Sequence, residues 1–263
     1  MANENTNRLP QWMQYSIAEG KRHPDTTEYA RCLVLGEMGS GKTHFANTFP
    51  KPFYIDTDYG LATTKDSMTA KAAPGIRLFP GDPAYQTIMA MLTDAKKKTA
   101  PLDAYETIVL DGLTSLSRLL LYEISGGNLD PKTGGKPSYD EYGSLKVRLS
   151  SIMSAIQAIP YHVVVTALTE IDKDEATGAY LGLINTVGSF GKDVGSMFDE
   201  VYFLEKRRAR SNEPGEAVHE FHTEYHPRFA VKSRLQNAAK IPAKIVNPTF
   251  DSLYGKIYKR EGK

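Results

Sequence analysis

Cys32-Leu33-Val34-Leu35-Gly36-Glu37-Met38-Gly39-Ser40-Gly41-Lys42-Thr43 joins an apolar run to the spacing G-x-x-x-x-G-K-[ST]. That spacing is the template of a phosphate-cradling loop set between a strand and a helix. Glycine at 36, 39 and 41 lets the backbone turn tightly and brings its N–H groups close to phosphate oxygens, and the helix that follows points the positive end of its dipole at the same anion. Lys42 reaches toward the terminal phosphates, and Thr43 offers a hydroxyl to magnesium. We therefore expect a nucleoside triphosphate and Mg2+ to be held by Gly36, Glu37, Met38, Gly39, Ser40, Gly41, Lys42, Thr43 and the adjoining His44.

Working outward, apolar strand candidates recur at Arg31 to Leu35, Pro52 to Asp56, Thr107 to Asp111, Val163 to Thr166 and Glu200 to Leu204, with helical stretches between them. Leu113, Leu116, Leu120 and Ile124 form one helical stripe, and Leu145, Leu149, Ile152 and Ile156 another. The alternation predicts an α/β fold with a mainly parallel central sheet and helices on both faces. From Glu220 to Val246, polar and apolar residues alternate and Pro227 and Pro242 interrupt, which predicts antiparallel strands added at the C-terminal edge. We divide the chain into an N-terminal arm or cap (1–28), a core (29–250) and a C-terminal tail (251–263). Two segments read as irregular loops: Ser125 to Pro137, dense in turn formers, and Glu170 to Ser196, which carries five glycines from Gly178 to Gly195.

Composition narrows the function classes. The chain has 263 residues, is 41% hydrophobic and carries a net charge of +1, enough for a buried core and against a globally basic nucleic-acid coat. A single cysteine, Cys32, lies in a strand pattern, so neither a disulfide framework nor a thiolate zinc cluster is expected, and a reducing cytoplasm is the natural setting. No run of about eighteen apolar residues is present, so no spanning helix is expected.

A triphosphatase needs a carboxylate for magnesium and a group to orient water. Asp111 ends the apolar strand Thr107-Ile108-Val109-Leu110 and is the candidate for the metal-associated carboxylate; an Asp before Leu113 also suits a helix cap. In Tyr54-Ile55-Asp56-Thr57-Asp58-Tyr59-Gly60, at the end of the strand expected to neighbour the phosphate loop, Asp58 is the candidate for activating water, or else a turn carboxylate.

With these residues the chain resembles the RecA-like branch of P-loop ATPases, and more narrowly the compact phage-encoded RecA-like ATP-binding proteins associated with single-strand annealing and recombination. The likeness covers roughly residues 30 to 250. It rests on the phosphate loop, on Tyr54 to Gly60, on Ile108-Val109-Leu110-Asp111-Gly112-Leu113-Thr114-Ser115-Leu116 as a Walker-B strand and helix, and on Phe198-Asp199-Glu200-Val201-Tyr202. The resemblance implies a RecA-like core, ATP as the nucleotide, single-stranded DNA as a partner, self-assembly into a ring or filament, phage recombination or replication proteins as further partners, and no membrane. Two departures stand out: Asp58 where the family usually has Glu, and Leu168 in place of a polar sensor, which leaves Thr166, Thr169 or Glu170 to couple nucleotide and loop.

Phe229-Ala230-Val231-Lys232-Ser233-Arg234 resembles the K-x-R pair with which RecA-like assemblies reach a neighbouring subunit's triphosphate. Lys232 and Arg234 are expected on one face of a strand, with trans catalysis as their role or simple exposure as the alternative. On this reading Lys132, Lys136, Lys173 and Lys192, with Tyr139, Tyr142, Tyr180 and Phe190, face single-stranded DNA from the two irregular loops, against acids including Asp130, Asp172, Asp174 and Glu175. Lys96-Lys97-Lys98 and Lys206-Arg207-Arg208 with Arg210 are solvated edges or a supplement to that path. A strand would turn His219 and His222 to opposite faces, so no metal is expected among His219, His222 and His226. The implied alternatives are a nucleotide-gated binding module with slow hydrolysis, or a ring-shaped motor on DNA.

Overall fold

The computed structural model describes residues 29–60, 74–129, 135–173, 180–213, 215–235, 241–255 and 257–258. The predicted arm (1–28), Lys132, Asp130, Asp174 and Glu175 lie outside them.

The apolar runs form strands β1 (Arg31–Gly36), β2 (Pro52–Asp56), β4 (Thr107–Asp111), β5 (His162–Lys173) and β7 (Glu200–Arg208), joined by β3 (Gly75–Arg77). Helices α1 (Lys42–Ala46), α2 (Ala84–Lys97), α3 (Leu113–Ile124), α4 (Tyr139–Gln157) and α5 (Phe190–Val194) lie between them. Antiparallel strands follow: β6 (Tyr180–Ile184), β8 (Ala217–His222), β9 (Lys232–Ser233) and β10 (Lys244–Val246), then α6 (Phe250–Tyr254). Every residue of β1 and β4 is buried, as a strand covered on both faces requires.

Alternate residues feed two cores. Leu33, Leu35, Ile55, Ile108, Leu110, Val163 and Val165 pack with the apolar faces of α2, α3 and α4. Cys32, Val34, Tyr54, Val109 and Val164 pack on the opposite side with Phe45 of α1, Phe49, and Leu253 and Tyr254 of α6. The boundary drawn at residue 250 therefore cuts through α6, which is built into the second core.

The sheet order is β10-β8-β7-β1-β5-β4-β2-β3. β1 pairs in parallel with β5 and β7, β4 with β5 and β2, while β8 and β10 close the edge antiparallel. The result is a mainly parallel α/β sheet with antiparallel strands added at one edge, as the alternation of elements predicted. One expectation is corrected: β2 does not neighbour the phosphate-loop strand, because β5 and β4 stand between them. A second correction concerns Glu170 to Ser196. β5 runs on to Lys173 and pairs with β6 from Thr169↔Ile184 to Lys173↔Tyr180, and α5 follows, so most of the described part of this segment is a hairpin and a short helix.

Candidate nucleotide site

The site is assembled at the carboxyl ends of β1, β4 and β2, beside the switch point where β1 lies between β5 and β7, the place where open α/β sheets bind ligands. Gly36 closes β1 against β7: a Cβ there would fall 2.4 Å from the carbonyl oxygen of Leu204. Gly39 (φ 75) and Gly41 (φ 99) take the left-handed conformations of the turn. Glu37, Met38 and Gly39 are exposed, Ser40 is buried, and His44 faces solvent from α1.

Lys42 opens α1 with its Nζ donating to the carbonyl oxygens of Gly36 (2.9 Å) and Glu37 (2.8 Å). Burial lowers its pKa to about 8, against the attraction of Asp111, Asp58 and Glu37. Thr43 Oγ1 donates to Asp111 Oδ2 at 2.9 Å, and Thr166 Oγ1 donates to Asp111 Oδ1 at 2.6 Å. Burial raises the Asp111 pKa, opposed by those two hydroxyls. The inserted strand β5 is thus what holds the carboxylate, for Thr166 lies directly across from Asp111 in the β4–β5 register. Asp111 is not a helix cap: Gly112 occupies that position, at φ 105, with no side-chain cap.

Asp58 reaches this cluster even though two strands, β5 and β4, separate β2 from β1. A Cβ on Gly112 would meet Asp58 Cγ at 2.5 Å, so the Asp58 carboxylate lies against the turn after Asp111 while remaining exposed. Thr57 fixes that turn by donating from Oγ1 to the carbonyls of Asp111 (3.0 Å) and Gly112 (2.7 Å). Asp56 is structural: fully buried, it accepts from Arg77 Nε at 2.9 Å.

Downstream of Asp111, Thr114 Oγ1 donates to Asn185 O at 2.6 Å and accepts the N–H of Leu168 at 3.0 Å. The start of α3 is therefore bonded to both arms of the β5–β6 hairpin. Among the predicted coupling residues Thr166 enters the site, whereas the buried Thr169 hydroxyl has no hydrogen-bond partner among the described residues.

Lys232 and Arg234 lie elsewhere. β9 covers only Lys232 and Ser233, paired with Val201 and Glu200 at the start of β7, the end of the sheet opposite the phosphate loop. The expectation of a shared strand face is corrected: Arg234 falls beyond β9, its guanidinium bonded to Asp199 and its N–H to Glu200 Oε1 at 2.9 Å. The acidic pair Asp199-Glu200 at the start of β7 thus serves this junction, and burial raises the Glu200 pKa.

Of the proposed DNA contacts, Lys136, Lys173, Lys192, Tyr139, Tyr142 and Tyr180 are exposed, but Phe190 is buried in the first core and offers no stacking face. In the basic run after β7's buried half, Arg207 is taken up by Glu213 and Glu220, while Lys206, Arg208 and Arg210 remain exposed.

β8 does send its histidines to opposite sides. His222 Nε2 meets Glu205 Oε1 at 2.8 Å, and His226 adds a third group with ligand atoms all within 4.8 Å of one another. His226 Nδ1 accepts the N–H groups of Arg228 and Phe229, each at 3.2 Å. His219 turns the other way, to the phosphate loop: Nδ1 lies 2.6 Å from Ser40 O, a contact that reading the chain missed and that no local signal marks.

No curated protein matches the chain. Among solved structures, a KaiC-like protein from the hyperthermophilic archaeon Pyrococcus horikoshii OT3 is similar at 9% identity over 78% of this chain and 83% of that one, with a TM-score of 0.43. No helix among the described residues is long and apolar enough to cross a membrane. A family model described as an AAA domain matches residues 28–235, a span that holds the phosphate loop, Asp58, Asp111 and Thr166, and the chain belongs to that AAA-domain family.

Proposed function

We propose that this chain is a magnesium-dependent ATPase whose turnover responds to self-assembly and to single-stranded DNA, working in DNA recombination, annealing or replication of the kind phage-encoded systems carry out. The observation that carries the nucleotide part is the line of Thr43, Asp111 and Thr166, joined by hydrogen bonds of 2.9 and 2.6 Å beside the Lys42 ammonium. A buried carboxylate whose charged form is disfavoured by burial, with a hydroxyl at each oxygen, is an all-oxygen donor set that suits a hard dication. Thr43 and Asp111 would hold magnesium, which when bound neutralises charge on the β- and γ-phosphate oxygens.

The remaining work falls to the chain's own residues. Lys42 gives up its two carbonyl partners and binds the terminal phosphates. Asp58, exposed beside Gly112, accepts a hydrogen bond from water and orients it. Thr166 keeps Asp111 aligned. Three residues after Asp111, Thr114 bonds Leu168 and Asn185, and through them would couple the start of α3 to the hairpin that carries Lys173 and Tyr180.

A nucleotide-gated binding module is the second reading, favoured by the shorter Asp58 and by Leu168, which presents only its backbone to Thr114. ATP hydrolysis by the full chain with magnesium, with and without a single-stranded oligonucleotide and alongside particle imaging, tests both. Stimulated turnover by assembled particles is expected. Binding without stimulation selects the gated module, and calorimetry that detects no purine triphosphate binding overturns the proposal.

A further inference from the structure

The phosphate loop is held from a strand at the far end of the chain. His219 of β8 lies with Nδ1 2.6 Å from the carbonyl oxygen of Ser40, and a Cβ on Gly41 would fall 2.8 Å from the same nitrogen and 3.0 Å from Cε1. A carbonyl oxygen only accepts, so Nδ1 carries a hydrogen and donates it.

We propose that His219 is a positioning residue of the nucleotide site, and that its hydrogen bond sets the direction of the Gly41 amide. The inference rests on the reading that the loop binds a nucleoside triphosphate. The Ser40 carbonyl and the Gly41 N–H belong to one planar trans peptide unit and point in opposite directions. Holding the oxygen against the imidazole therefore turns the N–H away from it, and no acceptor among the described residues takes that N–H. This peptide leads into Gly41 at φ 99, and Gly39 stands two residues earlier at φ 75. Glycine crosses between backbone regions with little steric resistance, so an unanchored peptide here would rotate among orientations, most of them useless to an anion. His219 removes that freedom before any ligand arrives, and amides already aimed bind more tightly than amides that must first be ordered.

His219 is itself clamped. Its N–H donates to Asn247 Oδ1 at 3.1 Å, and its carbonyl accepts from Asn247 N at 2.6 Å. Asn247 makes both bonds from φ 48, a left-handed conformation that Asn tolerates better than most residues. Loop, β8 and the residue after β10 thus form one chain of bonds. Gly41 also has a second reason to be glycine, since any side chain there strikes the imidazole.

The test is calorimetric titration of the full chain with magnesium and a non-hydrolysable ATP analogue, comparing wild type, His219→Leu and His219→Asn. Leu fills the space without a donor, whereas Asn keeps an N–H near the position of Nδ1. His219→Leu should weaken binding about tenfold, some 1.4 kcal/mol, the scale of a hydrogen bond whose acceptor is left unpaired. His219→Asn should stay within about threefold of wild type, with the thermal midpoints of the two variants matched. Equal affinities for Leu and wild type overturn the proposal. If His219→Leu does not fold, Asn247→Ala takes its place: severalfold weaker binding supports the anchor, and unchanged binding overturns it. Wild-type protein that binds no nucleotide removes the function reading and this inference with it.

Discussion

Lys42 shows what one buried cation does to the pH behaviour of the whole molecule. Its pKa falls from 10.5 to about 8 because burial disfavours the ammonium more than Asp111, Asp58 and Glu37 favour it. Between those two values the unfolded chain binds more protons than the folded one, so stability against denaturant should rise with pH across that window and level off above it. Replacing Lys42 with Met should flatten this slope. A bound triphosphate reverses the preference and favours the charged form, so nucleotide binding in the same window should take up a proton and weaken as pH rises; calorimetry in buffers of different ionisation heat reads the uptake directly. Asp58 makes a sharper test of chemistry. Asp58→Ala should lower turnover by roughly 10² to 10⁴, the range of a lost acid–base or water-orienting group, with nucleotide affinity little changed. Unaltered turnover would return Asp58 to the status of a turn carboxylate.

Elements in this fold differ in how plainly the chain announces them. α4 starts with a capping box, Ser138 and Glu141, and buries Leu145, Leu149, Ile152, Met153 and Ile156 along one stripe. Ile152→Ala should therefore destabilise the protein by about 2–5 kcal/mol in chemical denaturation, while Val147→Ala on the exposed side should stay within about 0.5 kcal/mol. The same logic explains which elements were legible. β1, β2 and β4 are buried on both faces and read as continuous apolar runs. The β5–β6 hairpin is not legible as strand, because from Glu170 onward it leaves the sheet and is largely exposed or half-buried, so no core selects an apolar alternation. Glycines there have packing reasons instead: a Cβ on Gly182 would fall 2.1 Å from the Phe229 ring. β3 has three residues, too few for any periodicity to register.

At the scale of the whole molecule, Lys232 and Arg234 sit at the opposite end of β7 from the phosphate loop, so neither serves the loop of its own chain. If they act, they act on a neighbour. Arg234→Ala should then abolish the part of ATP turnover that rises with protein concentration while leaving nucleotide binding intact, read by hydrolysis assays beside sedimentation; turnover that still climbs with assembly would remove the trans role. By itself the sequence determined the phosphate loop, the strand-borne Asp111 and the parallel α/β class, because each depends on residue spacing within one short window. Only the tertiary structure decided that β5 enters between β1 and β4 to bring Thr166 onto Asp111, that Asp58 comes to lie against Gly112, and that His219 anchors Ser40 from 179 residues away. Strand order and the antiparallel return are set by pairings between distant segments, and the energy of those pairings lies in backbone hydrogen bonds and buried area that no local stretch of residues encodes.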